Sequence, residues 1–441
     1  MEARNKYTIH TFEQLTPQDI AIKQQVFSNL LNMLDLSILE TLERRVAEHQ
    51  ISEICDQLLD AVPRPINLAT RQLIIKLIID EVLGLGPLEI LLDDPSISDI
   101  LVNRHDSIYV ERHGKLEKVG IQFFDDQHLM NIIDRIVSGV SRRIDESSPM
   151  VDARLKDGSR INAIIPPLAL DGPSLSIRRF NVDKLTADQL VEFKSMTDDM
   201  GKLIQASVQG KLNVLISGGT GSGKTTLLNI LSGYIPSNER IITIEDSAEL
   251  QLQQPHTVRL ETRPANIEGT GEVSQRDLVK NCLRMRPDRI VIGECRGAEA
   301  IDMLSAMNTG HEGSLTTLHA NSPRDALARL ENMVCMGGFD MPVKNIREQI
   351  SSAIDLVVQL ERQEDGRRRI TSIQEINGME GDVITMSEIF KFQRRGKDSD
   401  GEIVGEFKAT GVVPNFNNDL KAKGISLPHT IFGLDDNLAA F

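Results

Sequence analysis

The residues from Ser217 to Leu227, SGGTGSGKTTL, fit the spacing G-x-x-x-x-G-K-[ST] between Gly218 and Thr225. That spacing suits polyphosphate binding. Backbone N–H groups must converge on phosphate oxygens, and glycine at 218, 219, 221 and 223 removes the Cβ atoms that would block the approach. Thr220, Ser222 and Thr226 complete the stretch expected to line the phosphates. Lys224 offers a point charge to the β- and γ-phosphates, Thr225 offers a hydroxyl to Mg²⁺, and the helix begun there presents its positive end. The bland alternative is a Gly-rich turn. NVLIS before the loop and TTLLNIL after it are the strand and helix that the motif needs, and they favour the nucleotide.

Acids follow at the ends of later apolar runs. RIITIEDSAEL places Glu245, Asp246 and Glu249 where ligands of a parallel sheet bind, beyond the strand's C-terminal end. Glu245 and Asp246 are expected to support Mg²⁺ there, and a carboxylate at this place can also take a proton from an attacking water. DRIVIGECR is a second such strand, with Gly293 where a metal-supporting aspartate usually stands and Glu294 as the acid. Glu294 is expected to orient Mg²⁺-bound water or to act as base. GHEGSLTTLHA holds His311 and His319. Of the two, His319 follows a third apolar strand and is placed to sense a γ-phosphate.

The arginines call for a geometric argument. A hairpin turning at Asp157-Gly158, with Leu155 facing Arg160, sends Arg154 and Arg160 to opposite faces of their sheet. In SLSIRRF, Arg178 shares the polar face with Ser174 and Ser176, whereas Arg179 lies with Leu175 and Ile177. Arg178 is therefore the better candidate for a free charge. These arginines precede the loop domain, so reaching its phosphates requires a hinge or a neighbouring subunit.

Elements that could position these residues are legible in outline. A chain of 441 residues suits two or three domains. Helical spacing through VFSNLLNMLDLSILETLERRVAEHQ predicts an N-terminal helical unit over 1–66, closed by Pro63 and Pro65. Residues 67–180 read as an α+β domain, with one hairpin at His113-Gly114 and another at Asp157-Gly158. A polar linker over 181–196 carries an expected helix cap at Thr186. Strands alternating with helices over 197–380 predict a mostly parallel α/β sheet. The charged, Gly-rich residues 381–441 read as an irregular β-containing appendage.

Composition narrows the partners. With 49 basic and 64 acidic side chains the formal net charge is −15, and without Trp the chain has few stacking platforms, so nucleic acid is not an expected partner. Cys55, Cys282, Cys295 and Cys335 lie far apart with no Cys-x-x-Cys pair, so neither zinc nor a disulfide framework is expected. The longest apolar run, Leu73 to Leu92, is broken by Lys76, Asp80 and Glu81, and the N-terminus has no secretory pattern; a cytoplasmic protein is expected.

These residues resemble the secretion ATPases of the type II/type IV superfamily, and most closely the CpaF-like motors of Tad/Flp pilus assembly. The resemblance runs through GLGPLEILLDDPSISDILVN, SSPMVDARLKDGSRINAIIPPLALDGPSLSIRRF, GGTGSGKTTLLN, TIEDSAEL, RMRPDRIVIGECRGAEA and TGHEGSLTTLHANSPRDALARLE, nearly continuously from Leu83 to Glu331. It implies a RecA-like motor domain behind an α/β domain, a homo-hexameric ring, and ATP with Mg²⁺ between subunits. It makes GGTGSGKTT the Walker A motif, TIEDSAE an Asp box with Glu249 as candidate base, IGECR the Walker B motif and GHEGSLTTLHA a His box. Trans-acting arginines are expected from the preceding domain, best at Arg178, with Arg154, Arg160 and Arg179 as further candidates. Implied partners are inner-membrane platform proteins and, through them, pilins, which would hold the ring at the cytoplasmic face of the membrane. Type II motors usually carry a tetracysteine zinc module that this chain lacks, which favours the Tad branch or the traffic ATPases of type IV secretion. An ATP-dependent scaffold with little hydrolysis, or a P-loop kinase, are the readings of other classes.

Overall fold

Apolar residues gather into separate cores in two units, Met1–Asp183 and Lys184–Phe441. The structure, a computed structural model, describes residues 15–33, 42–112, 115–140, 142–155, 157–179, 185–265, 270–338, 341–399 and 401–434. The expected turn at His113-Gly114, the first residues of the expected linker and both chain ends lie outside the described residues.

The first unit opens with helices α1 (Pro17–Met33), α2 (Arg44–Asp60) and α3 (Leu68–Leu83). Val26 and Leu30, then Ala47, Ile51, Cys55 and Leu59, then Ile74 and Ile78 recur every fourth residue, so each helix buries one stripe in a shared core. Asn67 caps α3 by accepting from the Thr70 N–H at 2.8 Å. The helical unit expected to close at residue 66 thus shares its core with the helix beyond it. After the short α4 (Leu88–Leu92) come β1 (Ile97–Arg104), β2 (Ser107–Arg112), β3 (Lys115–Val119), α5 (Asp126–Ser138), β4 (Met150–Arg154), β5 (Arg160–Ile164) and β6 (Ser174–Arg178). The strands form one antiparallel sheet, order β3-β2-β1-β6-β5-β4. Leu129, Ile132, Ile133 and Ile136 of α5 bury against Ile100, Val102, Ile108, Leu175 and Ile177, each such side chain contributing about 1.5–3 kcal/mol. Ser174, Ser176 and Arg178 alternate with the buried residues of β6 and fall on the other, polar face.

That face corrects one sequence expectation. Arg154 pairs with Arg160, not Leu155, and Arg160 pairs in turn with Arg178. Directly opposed residues share a face, so the three arginines stand in one row, continued by Asp99 opposite Arg178. The loop explains the slip. The Leu155 N–H donates to the Ser159 carbonyl and the Gly158 N–H to the Leu155 carbonyl, both at 2.9 Å, with Gly158 left-handed at φ 93°. This is a three-residue loop closed by a glycine bulge, and its odd count moves the register by one residue and reverses the parity.

In the second unit, Thr186 caps α6 (Ala187–Glu192) in a reciprocal box with Gln189, as its spacing predicts. There follow α7 (Asp198–Gln209), β7 (Val214–Gly218), α8 (Lys224–Ser232), β8 (Ile241–Glu245), β9 (Thr257–Glu261), α9 (Gln275–Cys282), β10 (Arg289–Ile292), α10 (Glu299–Asn308), β11 (Leu315–Leu318), α11 (Pro323–Met336), α12 (Val343–Ala353), β12 (Leu356–Arg362), β13 (Arg368–Glu380), β14 (Val383–Lys397), β15 (Ile403–Ala409) and α13 (Phe416–Ala422). Nine strands make one sheet, order β15-β14-β13-β12-β7-β11-β10-β8-β9, parallel from β12 to β9 and antiparallel from β12 to β15. Every residue of β7, β8, β10 and β11 is buried, as a parallel sheet covered on both faces requires. Val214 and Ile216 of β7 face the core shared with α7, and Leu215 faces the core of α9 to α12. The arrangement is RecA-like, with β7 between β12 and β11.

The stretch expected as an irregular appendage is part of this sheet. Ile389, Phe390, Phe416, Leu420 and Phe432 sit in the same core as α7. Ile389 and Phe390, adjacent in EIFKF and both buried at a register shift, carry that packing, and the flanking charges mask it in the sequence. Beneath the strands, at the end away from the loop, Arg289 is wholly buried. It pairs with Glu239 and donates to the carbonyls of Gly313 at 3.1 Å and Val208 at 2.8 Å. A Cβ on Gly313 would fall 1.8 Å from the Arg289 guanidinium, so only glycine fits there.

Candidate nucleotide site

The loop leaves β7 at Gly218, which lies against the neighbouring strand: a Cβ there would stand 2.5 Å from both the Leu360 carbonyl oxygen and Ser222 Oγ. Gly221 and Gly223 adopt φ of 71° and 97°, a region glycine enters without strain. Gly223 caps α8 without a side chain, which leaves the helix's first N–H groups for a ligand. Ser222 Oγ is buried with no hydrogen-bond partner. A bare helix start, an orphaned hydroxyl and a lysine suit a polyphosphate. Thr220 and Gly221 are exposed, while Gly219, Thr225 and Thr226 are partly so.

Lys224 anchors a chain of charges. Its Nζ donates to the carbonyls of Gly218 at 3.0 Å and Gly219 at 2.9 Å and lies 3.3 Å from His319 Nδ1. His319 Nε2 stands 3.1 Å from Glu294 Oε1. The other oxygen, Glu294 Oε2, accepts from Arg296 Nη2 at 2.9 Å, and Arg296 Nη1 donates to Asp246 Oδ2 at 3.3 Å. Burial and the neighbouring Lys224 push His319 below the ordinary imidazole value, against the pull of Glu294, which favours the neutral ring. A lysine donor facing Nδ1 then assigns the remaining proton to Nε2, toward Glu294. Burial pushes Glu294 up, but the Arg296 hydrogen bond and the charges of Arg296 and Lys224 outweigh it and keep the carboxylate ionised. Burial likewise pushes Lys224 below its ordinary value.

Two of the expected residues serve the scaffold. Glu245 was expected to support Mg²⁺; its Oε1 instead turns back to accept from the Glu249 and Leu250 N–H groups, each at 2.8 Å, and burial pushes its carboxyl up to about 7. Gly293 makes room for it, since a Cβ there would stand 2.9 Å from Glu245 Cγ. Arg179 donates to the carbonyls of Asp94 and Ile97 and is held within its own unit. Arg178 is 63% exposed, 3.6 Å from Asp99. His311 lies at the opposite end of β11 from His319, away from the loop. Asp246 and Glu294 are joined through Arg296, Glu249 begins the backbone turn that Glu245 caps, and Thr225 sits in the first turn of α8.

Among the described residues no three acidic, histidine or cysteine side chains converge as a metal cage. A Mg²⁺ ion that accompanies a nucleotide needs none, because it keeps waters and phosphate oxygens and takes only one or two carboxylates. Asp246 and Glu294, both held by Arg296, would supply that number of carboxylates. Sequence reasoning missed Arg296, Arg362 and Arg368. Arg296 directly follows the acid strand and could have been read with it; the other two reach the loop only because β12 lies beside β7.

An α/β sheet of this order, with a phosphate loop at the end of its central strand and acids and a histidine arriving from β8, β10 and β11, defines a P-loop ATP hydrolase. Residues 81–394 match the family described as Type II/IV secretion system protein, and the chain belongs to it. It is 38% identical over 309 residues to a putative conjugal transfer protein of Mycobacterium tuberculosis, covering 69% of this chain and 87% of the relative. It is 33% identical over 301 residues to the type IV secretion system protein VirB11 of Brucella suis, covering 62% of this chain and 83% of that one. The crystal structure of the Brucella suis VirB11 ATPase is similar at 31% identity and a TM-score of 0.36, covering 66% of this chain and 95% of that one.

Proposed function

We propose that this ATPase works as a homo-hexameric ring at the cytoplasmic face of the inner membrane, where hydrolysis powers the passage of protein subunits through membrane-embedded platform proteins. One observation carries the reading: Lys224, His319, Glu294, Arg296 and Asp246 form a continuous chain from the phosphate loop across three strand ends. When bound, ATP with Mg²⁺ supplies the phosphoanhydride to be cleaved. Lys224 meets the phosphate charge, Glu294 is held ionised and able to take a proton, and His319 ties the two. Glu249 is the second candidate base. The arginine row Arg154, Arg160 and Arg178 lies in the other unit, which suits a contribution from a neighbouring subunit.

Two cargos fit this class. The names of the relatives favour a traffic ATPase of conjugation or type IV secretion. The sequence stretches SSPMVDARL and PPLALDGPSLSIRRF support a Tad/Flp pilus motor. Purified protein is expected to show Mg²⁺-dependent ATPase activity that Lys224→Ala lowers at least about a hundredfold. Activity indifferent to that change sinks the proposal, and light scattering that finds only monomer with ATP removes the ring. Cells carrying Lys224→Ala separate the cargos: loss of surface pili with transfer intact selects the pilus, and the reverse selects secretion.

A further inference from the structure

The β12–β13 hairpin reaches the phosphate loop from a side that none of the sequence motifs occupies. Register dictates this. Leu360 pairs with Gly218 across β7 and β12, and Arg362 pairs with Arg368 across β12 and β13, so the hairpin carries both arginines past the start of the loop. Arg368 Nε donates to the Gly221 carbonyl at 2.9 Å. Its stem runs along Gly223, where a Cβ would stand 3.3 Å from Arg368 Cδ, and a Cβ on Gly221 would stand 3.7 Å from an Arg362 guanidinium nitrogen.

The two arginines are exposed and directly opposed on an antiparallel ladder, where like charges weaken the pairing. Their neighbours Arg367 and Arg369 alternate to the other face and are ion-paired with Glu402 and Asp365. Two guanidinium groups at the lip of a loop built for phosphate add positive charge where an anion would sit. The loop also needs holding. Its left-handed glycines, Gly221 and Gly223, give it more freedom to lose on ordering than bulkier residues would.

We propose that Arg362 and Arg368 form a fork that binds the nucleotide's phosphates from the same chain as the phosphate loop. Arg368 fixes the loop through the Gly221 carbonyl, and Arg362 adds charge at its lip. The inference rests on the reading of this loop as the ATP site. Both contributions act on bound nucleotide whether or not it reacts, so they govern affinity more than turnover.

The test titrates a fluorescent ADP analogue into the full chain and follows ATPase kinetics beside it. Arg362→Ala and Arg368→Ala each raise the analogue's Kd and the KM for ATP about tenfold, with kcat held within about threefold. Arg368→Lys recovers part of the affinity, because an ammonium reaches an oxygen without the planar fork. Should Arg368→Ala lower the melting temperature, the exposed Arg362→Ala carries the test alone. Unchanged Kd in folded alanine variants overturns the fork, as does a fall in kcat at unchanged Kd. A wild type that binds no analogue, or binds it equally well with Lys224→Ala, overturns the ATP site itself.

Discussion

The arginine row of the first unit's sheet and the buried Arg289 of the second unit's sheet use the same side chain in opposite ways. The first unit's sheet is covered on one face only, and its open face displays Arg154, Arg160 and Arg178 in a single row. In the second unit the strands β7, β8, β10 and β11 are covered on both faces, and the arginine that opens β10, Arg289, is sealed beneath them against Glu239 and two carbonyls. Arg178, 63% exposed on the open face, has its charge within reach of another molecule. An arginine inside a covered sheet has its charge consumed by the fold, and losing it leaves a carboxylate and carbonyls stranded.

Two substitutions test that division, the larger effect first, and a third tests burial in the second unit. Arg178→Ala is expected to lower kcat on the order of a thousandfold, the scale of an arginine finger, with ATP affinity and melting temperature nearly unchanged. Equal losses in kcat and affinity would make it a ground-state contact, and a lowered melting point would place it with the structural arginines. Arg289→Ala is expected to do the reverse, destabilising the second unit by about 3–5 kcal/mol in chemical denaturation, because a buried partner is left uncompensated. A variant within about 1 kcal/mol of wild type would show that water reaches Glu239 readily.

The smallest effect concerns Glu245, whose folded carboxyl is pushed up to about 7 from an ordinary 4.5. A raised folded value means that the native state holds its proton more tightly than the unfolded chain. The stability this provides is complete below the unfolded value and is lost as pH rises through about 7. Glu245→Gln cannot titrate, so the stability of wild type relative to it should fall by roughly 1–3 kcal/mol between about pH 4.5 and 7.5. Parallel pH curves for the two proteins would refute the burial argument.

Features set by local rules were legible in the sequence. The loop, its strand and helix, the acid at Glu294, the histidine at His319 and the cap at Thr186 all follow from motif or short-range spacing. Features set by register or by strand neighbours were not. Whether a loop holds two residues or three decides the faces of Arg154 and Arg160, and composition around Asp157-Gly158 allows either. That β12 lies beside β7, bringing Arg362 and Arg368 to the loop, depends on strand order, which the local pattern does not encode. The C-terminal strands were hidden because charges on an edge hairpin read as loop until its antiparallel partner is known.

The packing of β8 against β10 constrains how such chains can diverge. Glu245 and Gly293 fill a single volume from adjacent strands, since a Cβ at 293 would stand 2.9 Å from Glu245 Cγ. The two positions therefore cannot drift independently. A descendant that acquires an aspartate at 293 must shorten or turn away the side chain at 245, so across related chains these positions should change as a pair.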